Sequence, residues 1–572
     1  RHSYDMLGEG ARTAKDAAGY FAAYAGAIEK IGKSAGERKL HDRPGISVKL
    51  SALHPRYEAV HRERVLKELV PSLIELARAA KGYDLNFTVD AEEQDRLELS
   101  LDVIAAAFAD PSLAGWDGFG LAIQAFGKRA ADVVAFIDDM AAARGRRMMV
   151  RLVKGAYWDT EVKRAQERGL ADYPVFTRKA ATDQAYLACA RRLLAARPRL
   201  YPQFASHNAL TVATIIEMAG NIEGFEFQRL HGMGDALYDA VIGDVPVSCR
   251  IYAPVGGHRE LLAYLVRRLL ENGANSSFVS QAGDRTVPVA QLLARPAEAL
   301  EGGARARHYR IPFPADIYRP LRRNSVGMEF GYGRDLSALV SGMAKAGAAP
   351  AAAGGGRAVV SPVDGKTVVG RIADTPAAHV DGMVTLAEPG FRRWSATPAE
   401  ERAAALDRLA DLLEADRDVL MSLLAREGGK TLADGIAEVR EAVDFCRYYA
   451  GEARLLFREE VMPGPTGERD VLRRRGRGVF VCITPWNFPL AIFLGQVTAA
   501  LAAGNAVLAK PAEQTPLIAG HAFALLHRAG VPEDVAKLVP GDRKVGAALV
   551  AHPRIAGVVF TGSTEVAFAI NR

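Results

Sequence analysis

MMVRLVKGAYWD (Met148–Asp159) decides how the first half of this chain is read. A short apolar-rich run stops at Lys154, and ionisable and aromatic residues follow at once. Seven other runs share that form. Together the eight are His2–Leu7, Gly45–Leu50, Leu85–Asp90, Gly120–Gln124, Met148–Lys154, Pro202–Ser206, Gly224–Leu230 and Ser248–Tyr252. Each reads as a β-strand by its β-prone core and polar ends. Helical stretches such as Val65–Ala80, Ala130–Ala143 and Leu210–Ala219 separate them. Eight β units with intervening helices predict an α/β fold, a parallel (βα)8 TIM-like barrel. In such a barrel the reactive side chains sit where strands end. Those ends are Lys49, Asp90, Gln124, Arg151 to Lys154, His207, Gln228 and Tyr252, a polar and ionisable set.

The stretch Arg259–Asn272 reads as a helix. Leu262, Leu265, Val266 and Leu269 recur at helical spacing and predict one buried stripe. Tyr264, Arg267, Arg268 and Glu271 repeat that spacing on another face, and Gly273 suits a C-cap. Two adjacent arginines beside a tyrosine offer forked, charge-assisted hydrogen bonds to a carboxylate. Taken alone, the same face reads first as a solvated one carrying an Arg267–Glu271 pair, since surface charge is the default.

The 572 residues, 49% apolar and 24% charged, are ordinary globular composition, which excludes disorder or collagen-like repeats for the chain as a whole. The net charge of +6 is a weak bias, and the densest basic run, Arg473–Arg477, is too short for a nucleic-acid-binding stripe. Cys189, Cys249, Cys446 and Cys482 are dispersed, without metal-ligand spacing, which argues against a disulfide scaffold or structural zinc and suits a reducing compartment. No stretch has the length of a membrane span. The first residue is Arg1, and a longer polypeptide is expected. AGAAPAAAGGG (Ala346–Gly356) reads as a flexible linker, giving domains over 1–330 and 358–572 joined by 331–357.

Eight segments carry a specific likeness. SVKLSALHPRY (Ser47–Tyr57), VDAEEQDRLE (Val89–Glu98), RLVKGAYWD (Arg151–Asp159), YPVFTRK (Tyr173–Lys179), HNA (His207–Ala209), RLHGMG (Arg229–Gly234), RIYAPVG (Arg250–Gly256) and LLAYLVRRLLENGANSSF (Leu261–Phe278) resemble the proline dehydrogenase domains of bacterial proline utilization A proteins. The resemblance covers residues 1 to about 330 and implies a distorted barrel holding FAD across its C-terminal face. It assigns Arg267 and Arg268 to the carboxylate of L-proline, Tyr252 and Tyr264 to the walls of its ring, and Tyr157 to closure of the pocket. Lys49 and Asp90 are expected to pair at the substrate's border. Arg151 is expected near flavin N5 and Gln124 at the pyrimidine edge. Val153, Lys154, Gly155, Ala156 and Trp158 would follow the isoalloxazine and ribityl chain. Thr177, Arg178, Lys179, His207, Asn208, Gln228 and Glu271 are assigned to the remaining FAD contacts.

After the linker, SPVDGKTVVGRIADTP (Ser361–Pro376) predicts a hairpin, and helices are expected over Pro398–Ala425 and Leu432–Phe457, with Thr397 as N-cap and Pro398 in the first turn. GVFVCITPWNFPLAI (Gly478–Ile492), ALAAGNAVLAKPAEQTP (Ala500–Pro516) and VVFTGSTEVA (Val558–Ala567) resemble the aldehyde dehydrogenase superfamily, implying a truncated, Rossmann-like NAD-binding domain. Asn487 would stabilise an oxyanion. By resemblance Lys510 and Glu513 would bind NAD ribose, and Gly562 and Ser563 its pyrophosphate. The superfamily's catalytic cysteine and glutamate are expected beyond Arg572. Cys482 sits in an apolar run without a base and reads as structural.

The combined expectation is oxidation of L-proline to Δ1-pyrroline-5-carboxylate, fused to NAD-dependent oxidation of L-glutamate γ-semialdehyde. A quinone acceptor, a cytoplasmic location with peripheral contact at the inner membrane, and a homo-oligomer are implied by the resemblance alone. Two rivals remain: an aldolase with Lys49 as Schiff-base nucleophile, and a nucleic-acid-binding regulator, for which this segment has no footprint.

Overall fold

The computed structural model describes residues 1–257, 261, 262, 265, 266, 278, 281, 284, 286–300, 307–348 and 355–572. The chain divides into two compact units, one of Arg1–Ala165, Asp172–Ile311 and Glu329–Gly333, the other of Gln166–Ala171, Pro312–Met328 and Arg334–Arg572.

Eight parallel strands close the first unit into a barrel in chain order: β1 (His2–Met6), β2 (Gly45–Val48), β3 (Asn86–Val89), β4 (Phe119–Gln124), β5 (Met148–Val153), β6 (Leu200–Ala205), β7 (Glu226–Leu230) and β8 (Cys249–Val255). β8 returns to pair with β1, so the sheet has no edge. The expected strands are all present with shifted ends. β7 begins at Glu226 and not at Gly224, whose φ of +77° lies in the left-handed region.

Side chains of a strand alternate between faces, and here the alternation separates two chemistries. Ile46, Val48, Phe87, Val89, Phe119, Leu121, Ile123, Val150, Leu152, Phe204 and Phe227 join the apolar core shared with the surrounding helices. The long helix Arg62–Gly82 contributes Val65, Leu69, Leu73, Leu76, Ala77 and Ala80, one stripe at helical spacing. The opposite face of the strands carries Ser3, Asp5, Ser47, Arg151, Gln203, Glu226, Gln228 and Arg250, all buried. Arg151 on β5 bonds Ser3 of β1, Ser47 of β2 and Gln228 of β7, none of them on a neighbouring strand, so these side chains meet in the lumen.

One expectation fails at the last stretch of this unit. Leu262, Leu265 and Val266 are helical, but they are 60%, 52% and 46% exposed and form no buried stripe. An apolar stripe is buried only when another element covers it, and among the described residues none does; Leu269 lies outside those residues.

The second unit opens with an antiparallel hairpin, β9 (Arg357–Val360) and β10 (Val368–Ile372). An exposed ribbon, β11 (Glu460–Met462) with β12 (Asp470–Leu472), follows the helices. A parallel sheet of order β15-β14-β13-β16 carries β13 (Val479–Ile483), β14 (Ala506–Lys510), β15 (Ala536–Leu538) and β16 (Ile555–Phe560). The stretch expected as a linker carries a helix, Gly333–Ala348, with Leu339 buried; residues 349–354 lie outside the described ones. The helix expected over Pro398–Ala425 is two, Ala399–Ala415 and Arg417–Gly428, because Asp416 leaves helical geometry to end one and start the other. Thr397 is not an N-cap. The preceding helix runs to Ala396, and the Thr397 hydroxyl donates back to the Arg393 carbonyl, so Pro398 takes the cap position.

Two buried glutamates close helix starts in this unit. Glu438 accepts from the amide of Leu490 at 2.9 Å, ahead of the helix Ala491–Ala502. Glu427 accepts from Leu517 and Ile518 at 2.7 and 2.9 Å, at the start of Pro516–Arg528. Burial pushes the Glu427 carboxyl up from 4.5 to about 7, against the pull of those two amides. The folded state therefore binds the proton more tightly than the unfolded chain. Its stabilising contribution is complete below pH 4.5 and is lost as pH rises through about 7. Calorimetry of the second unit should show its melting temperature falling by roughly 5 °C between pH 5 and 8, and Glu427→Gln should flatten that slope. An unaltered slope would place the titration elsewhere.

Candidate active site

The barrel's strands deliver alternating charges to its centre. Lys49, one residue past β2, places Nζ 2.6 Å from Asp5 on β1 and 3.4 Å from Asp90 past β3. Arg151 Nη1 donates to the other oxygen of Asp90 at 2.7 Å. The Tyr252 hydroxyl donates to Asp90 at 3.0 Å, and its ring lies 4.7 Å from the Arg151 guanidinium. Burial by itself pulls the Lys49 pKa down. Tyr252, Asp90 and Asp5 outweigh it and hold the ammonium well above its ordinary pKa. An amine kept protonated is a poor Schiff-base nucleophile, so the aldolase reading loses its central residue. Asp5 completes the pair expected between Lys49 and Asp90, and it is the nearer partner.

A guanidinium has five N–H donors. In Arg151, Nε goes to Gln228 at 2.9 Å, Nη1 to Asp90, and Nη2 to Ser3 and Ser47 at 3.2 and 2.9 Å. Among the described residues the second Nη1 hydrogen has no acceptor.

The rim around this centre is built from the ends of β3, β4 and β5. Gln124, at the end of β4, donates to the Glu92 carbonyl at 2.8 Å and accepts from the Ala156 amide at 3.1 Å, so it ties two rim loops together. Val153 and Lys154 hold their carbonyls on the amides of Ala125 and Phe126. At Gly155, φ is +139° and a Cβ would come within 2.4 Å of the Phe126 ring, so only glycine fits that turn. Tyr157 has φ of +60°, unusual for a side chain of its bulk, with its hydroxyl 3.4 Å from Glu9. The Trp158 indole donates to the Phe176 carbonyl at 2.9 Å. Lys154 and Lys179 share Asp183, Arg178 reaches the Ala299 carbonyl, and the Thr177 hydroxyl accepts from the His308 amide.

His207 and Asn208 work within the fold. His207 Nε2 accepts from the Leu230 amide at 3.1 Å, and Asn208 caps the helix Ala209–Ala219 through Thr211. Tyr264, Arg267, Arg268 and Glu271 lie outside the described residues.

Sequence reading passed over Asp5, Glu226 and Arg250. A signal was there: Ser3 and Asp5 share one face of β1, as do Glu226 and Gln228 on β7, polar pairs at strand spacing inside apolar surroundings. Reading each strand as an apolar run concealed it.

In the second unit, Asn487 stands exposed in the turn after β13. Lys430 pairs with Glu438 at 3.1 Å and lies 4.3 Å over the Phe488 ring, so one side of that turn is held by charge. Lys510 ends β14 with Nζ buried, its pKa lowered by desolvation, and the Pro511 carbonyl as its hydrogen-bond acceptor at 3.3 Å. Glu513 is exposed nearby in sequence. Gly562 and Ser563 form the turn between β16 and the helix Thr564–Asn571, where Ser563 caps the Val566 amide. Cys482 is fully buried in β13, and burial pushes its thiol up to about 12, so it is a packing residue.

Comparison with known proteins accounts for both units. Residues 1–281 match the family model described as proline dehydrogenase, and residues 351–572 the aldehyde dehydrogenase family. The bifunctional protein PutA of Klebsiella aerogenes is 50% identical over the whole chain, and that of Escherichia coli K12 49%. The chain spans 45% and 44% of those two relatives, about half their length. A crystal structure of a Bradyrhizobium japonicum proline utilization A variant superposes with a TM-score of 0.94 at 62% identity, covering all of this chain and 56% of the other. One from Bdellovibrio bacteriovorus gives 0.92 at 32% identity, covering all of this chain and 61% of the other. An eight-stranded parallel barrel with a charged lumen, followed by an aldehyde-dehydrogenase-type α/β unit, thus agrees with the two family models in their order along the chain, proline dehydrogenase and then aldehyde dehydrogenase, and is what this chain shares with the proline utilization A proteins it resembles.

Proposed function

We propose that the barrel oxidises L-proline to Δ1-pyrroline-5-carboxylate with bound FAD, and that the second unit carries part of the NAD site of a glutamate-semialdehyde dehydrogenase. The observation that carries the first reading is Arg151: a buried cation within the barrel with four N–H groups engaged and, among the described residues, one left to give. That donor set fits a flavin, whose reduced ring is electron-rich. Lys154, just past β5, and Arg178 and Lys179, at the start of the helix Lys179–Ala195, add cationic donors suited to a diphosphate.

Gln124, Val153, Lys154, Gly155, Ala156 and Trp158 would hold FAD, which when bound would supply the two-electron acceptor for the hydride lost from C5 of proline, leaving an iminium between C5 and the ring nitrogen. The chain's own residues prepare that event. Arg267 and Arg268 would fork onto the substrate carboxylate and fix C5 in place, which can lower the barrier by several kcal/mol. Arg151 would stabilise negative charge at the site without reorganising, because its neighbours already fix its plane. Asp5, Lys49 and Asp90 form a preset polar wall, and Tyr252 adds a ring edge to the pocket.

For the second activity, Lys510 has an ammonium with one weak internal acceptor among the described residues, available for sugar hydroxyls. Asn487 presents an exposed amide on a turn held by Glu438. Part of this chain is also 36% identical to 1-pyrroline-5-carboxylate dehydrogenase 2 of Bacillus subtilis, over 208 residues, which supports this assignment.

The FAD-loaded chain, assayed with L-proline and a soluble quinone, supplies two tests. Arg268→Met should raise KM for proline about tenfold or more while FAD stays bound, since the carboxylate loses a charged fork. An unchanged KM would remove Arg268 from the site. Asp5→Ala should lower turnover at least about tenfold by leaving Lys49 its more distant partner; wild-type turnover would make Asp5 a bystander. In protein carrying the whole second domain, Asn487→Ala should depress aldehyde oxidation about 100-fold and spare proline oxidation. Equal losses in both activities would mark Asn487 as structural.

A further inference from the structure

Below the proposed flavin-facing cation, the barrel floor holds a second buried arginine. Arg250 on β8 is fully buried and uses all five N–H groups. Nε and Nη2 fork onto Glu226 of β7 at 2.6 and 3.1 Å, Nη2 also reaches the His41 carbonyl at 2.8 Å, and Nη1 reaches the carbonyls of Arg43 and His2 at 2.7 and 3.4 Å. Nothing in Arg250 is left for a ligand. Its pairing with Glu226 anchors the carboxylate beneath the lumen.

Glu226 Oε1 also accepts from Gln203 and Gln228 at 2.8 and 3.3 Å. Gln228 is the link upward. Its Nε2 faces Glu226, which can only accept, so its Oε1 is turned to Arg151 Nε at 2.9 Å. A carboxylate below thereby dictates which end of the amide faces the guanidinium above. Were the carboxylate replaced by a group that both donates and accepts, either amide orientation would be satisfied at the floor, and one of them would set an NH2 against Arg151 Nε. The charges along the lumen alternate, Asp5, Lys49, Asp90, Arg151, Glu226, Arg250, and sum to zero with all six ionised.

We propose that Glu226 and Arg250 are positioning residues that act through Gln228 to fix the plane of Arg151 and the direction of the Nη1 hydrogen that has no acceptor among the described residues. The proposal rests on the assignment of Arg151 to the proline-oxidising site, and it concerns two residues that touch neither substrate nor cofactor in that assignment.

The test uses the 572-residue chain labelled with 15N-arginine and free of flavin, with the Arg151 Nε–H resonance assigned by its loss in Arg151→Lys. Solvent exchange of that N–H is compared in wild type, Gln228→Met and the double variant Glu226→Gln with Arg250→Met. The double variant removes both floor charges together, since Glu226→Gln alone would strand a buried guanidinium. Both should exchange about tenfold faster or more, the loss of one hydrogen bond to a charged group. Faster exchange in Gln228→Met with wild-type exchange in the double variant would overturn the proposal, reducing the floor pair to a packing element; so would wild-type exchange in both. If the double variant does not fold, Glu226→Asp replaces it. That change keeps the charge opposite Arg250 but withdraws the carboxylate from Gln228 by about 1.5 Å, and the same two outcomes decide. With FAD bound, the variant that exchanges faster should also lose about tenfold in kcat for proline at unchanged KM. Wild-type protein that takes up no FAD would defeat the functional assignment and leave the exchange comparison intact.

Discussion

A guanidinium taken out of water must have its charge and its hydrogens answered from within the protein, and Arg151 sets that requirement at the centre of this barrel. The acceptors come from β1, β2 and β7 and from the residue just past β3. Those strands are distant in sequence and meet only when the sheet closes on itself. Closure of the barrel and assembly of the site are therefore one event. The apolar outer faces of the same strands drive that closure by packing on the helices, so each strand serves stability with one set of alternate residues and chemistry with the other.

The lumen is polar almost throughout, which distinguishes it from a barrel filled with layers of branched apolar side chains. Such an interior is tolerable because acid and base alternate and the amides of Gln203 and Gln228 bridge the gap between the upper and lower charges. Removing one member leaves its neighbours buried and unpaired, so substitutions here are expected to act on neighbours as strongly as on the residue changed. In the second unit the same logic operates at helix ends. Glu438 and Glu427 come from the helical layer to meet the amides that begin two crossover helices, and they hold the turns that follow β13 and β14.

Much of this architecture could be read from the residues. Eight apolar runs with ionisable ends located every barrel strand, and the motif ends placed Lys49, Asp90, Arg151, Gln228 and Tyr252 together, as the lumen does. What escaped had a physical cause. Asp5 lies within β1 and Glu226 opens β7, neither at the C-terminal end where the ionisable residues were expected, and a charge within a short β-prone run is indistinguishable from an exposed one until the strand's partners are known. The break at Asp416 escaped because the residues on both sides are strong helix formers, so that nothing in the helical pattern marks the interruption. The exposed Leu262, Leu265 and Val266 show the converse: periodicity states which residues share a face, but burial depends on what covers it.

The most direct measurement is a single anaerobic mixing of the FAD-loaded chain with excess L-proline, following the visible absorbance of the flavin with no other acceptor present. The account predicts that the yellow colour bleaches, with the oxidised imino acid released in a one-to-one ratio to flavin. Colour that persists in the presence of saturating L-proline, in protein that retains its FAD, would contradict it.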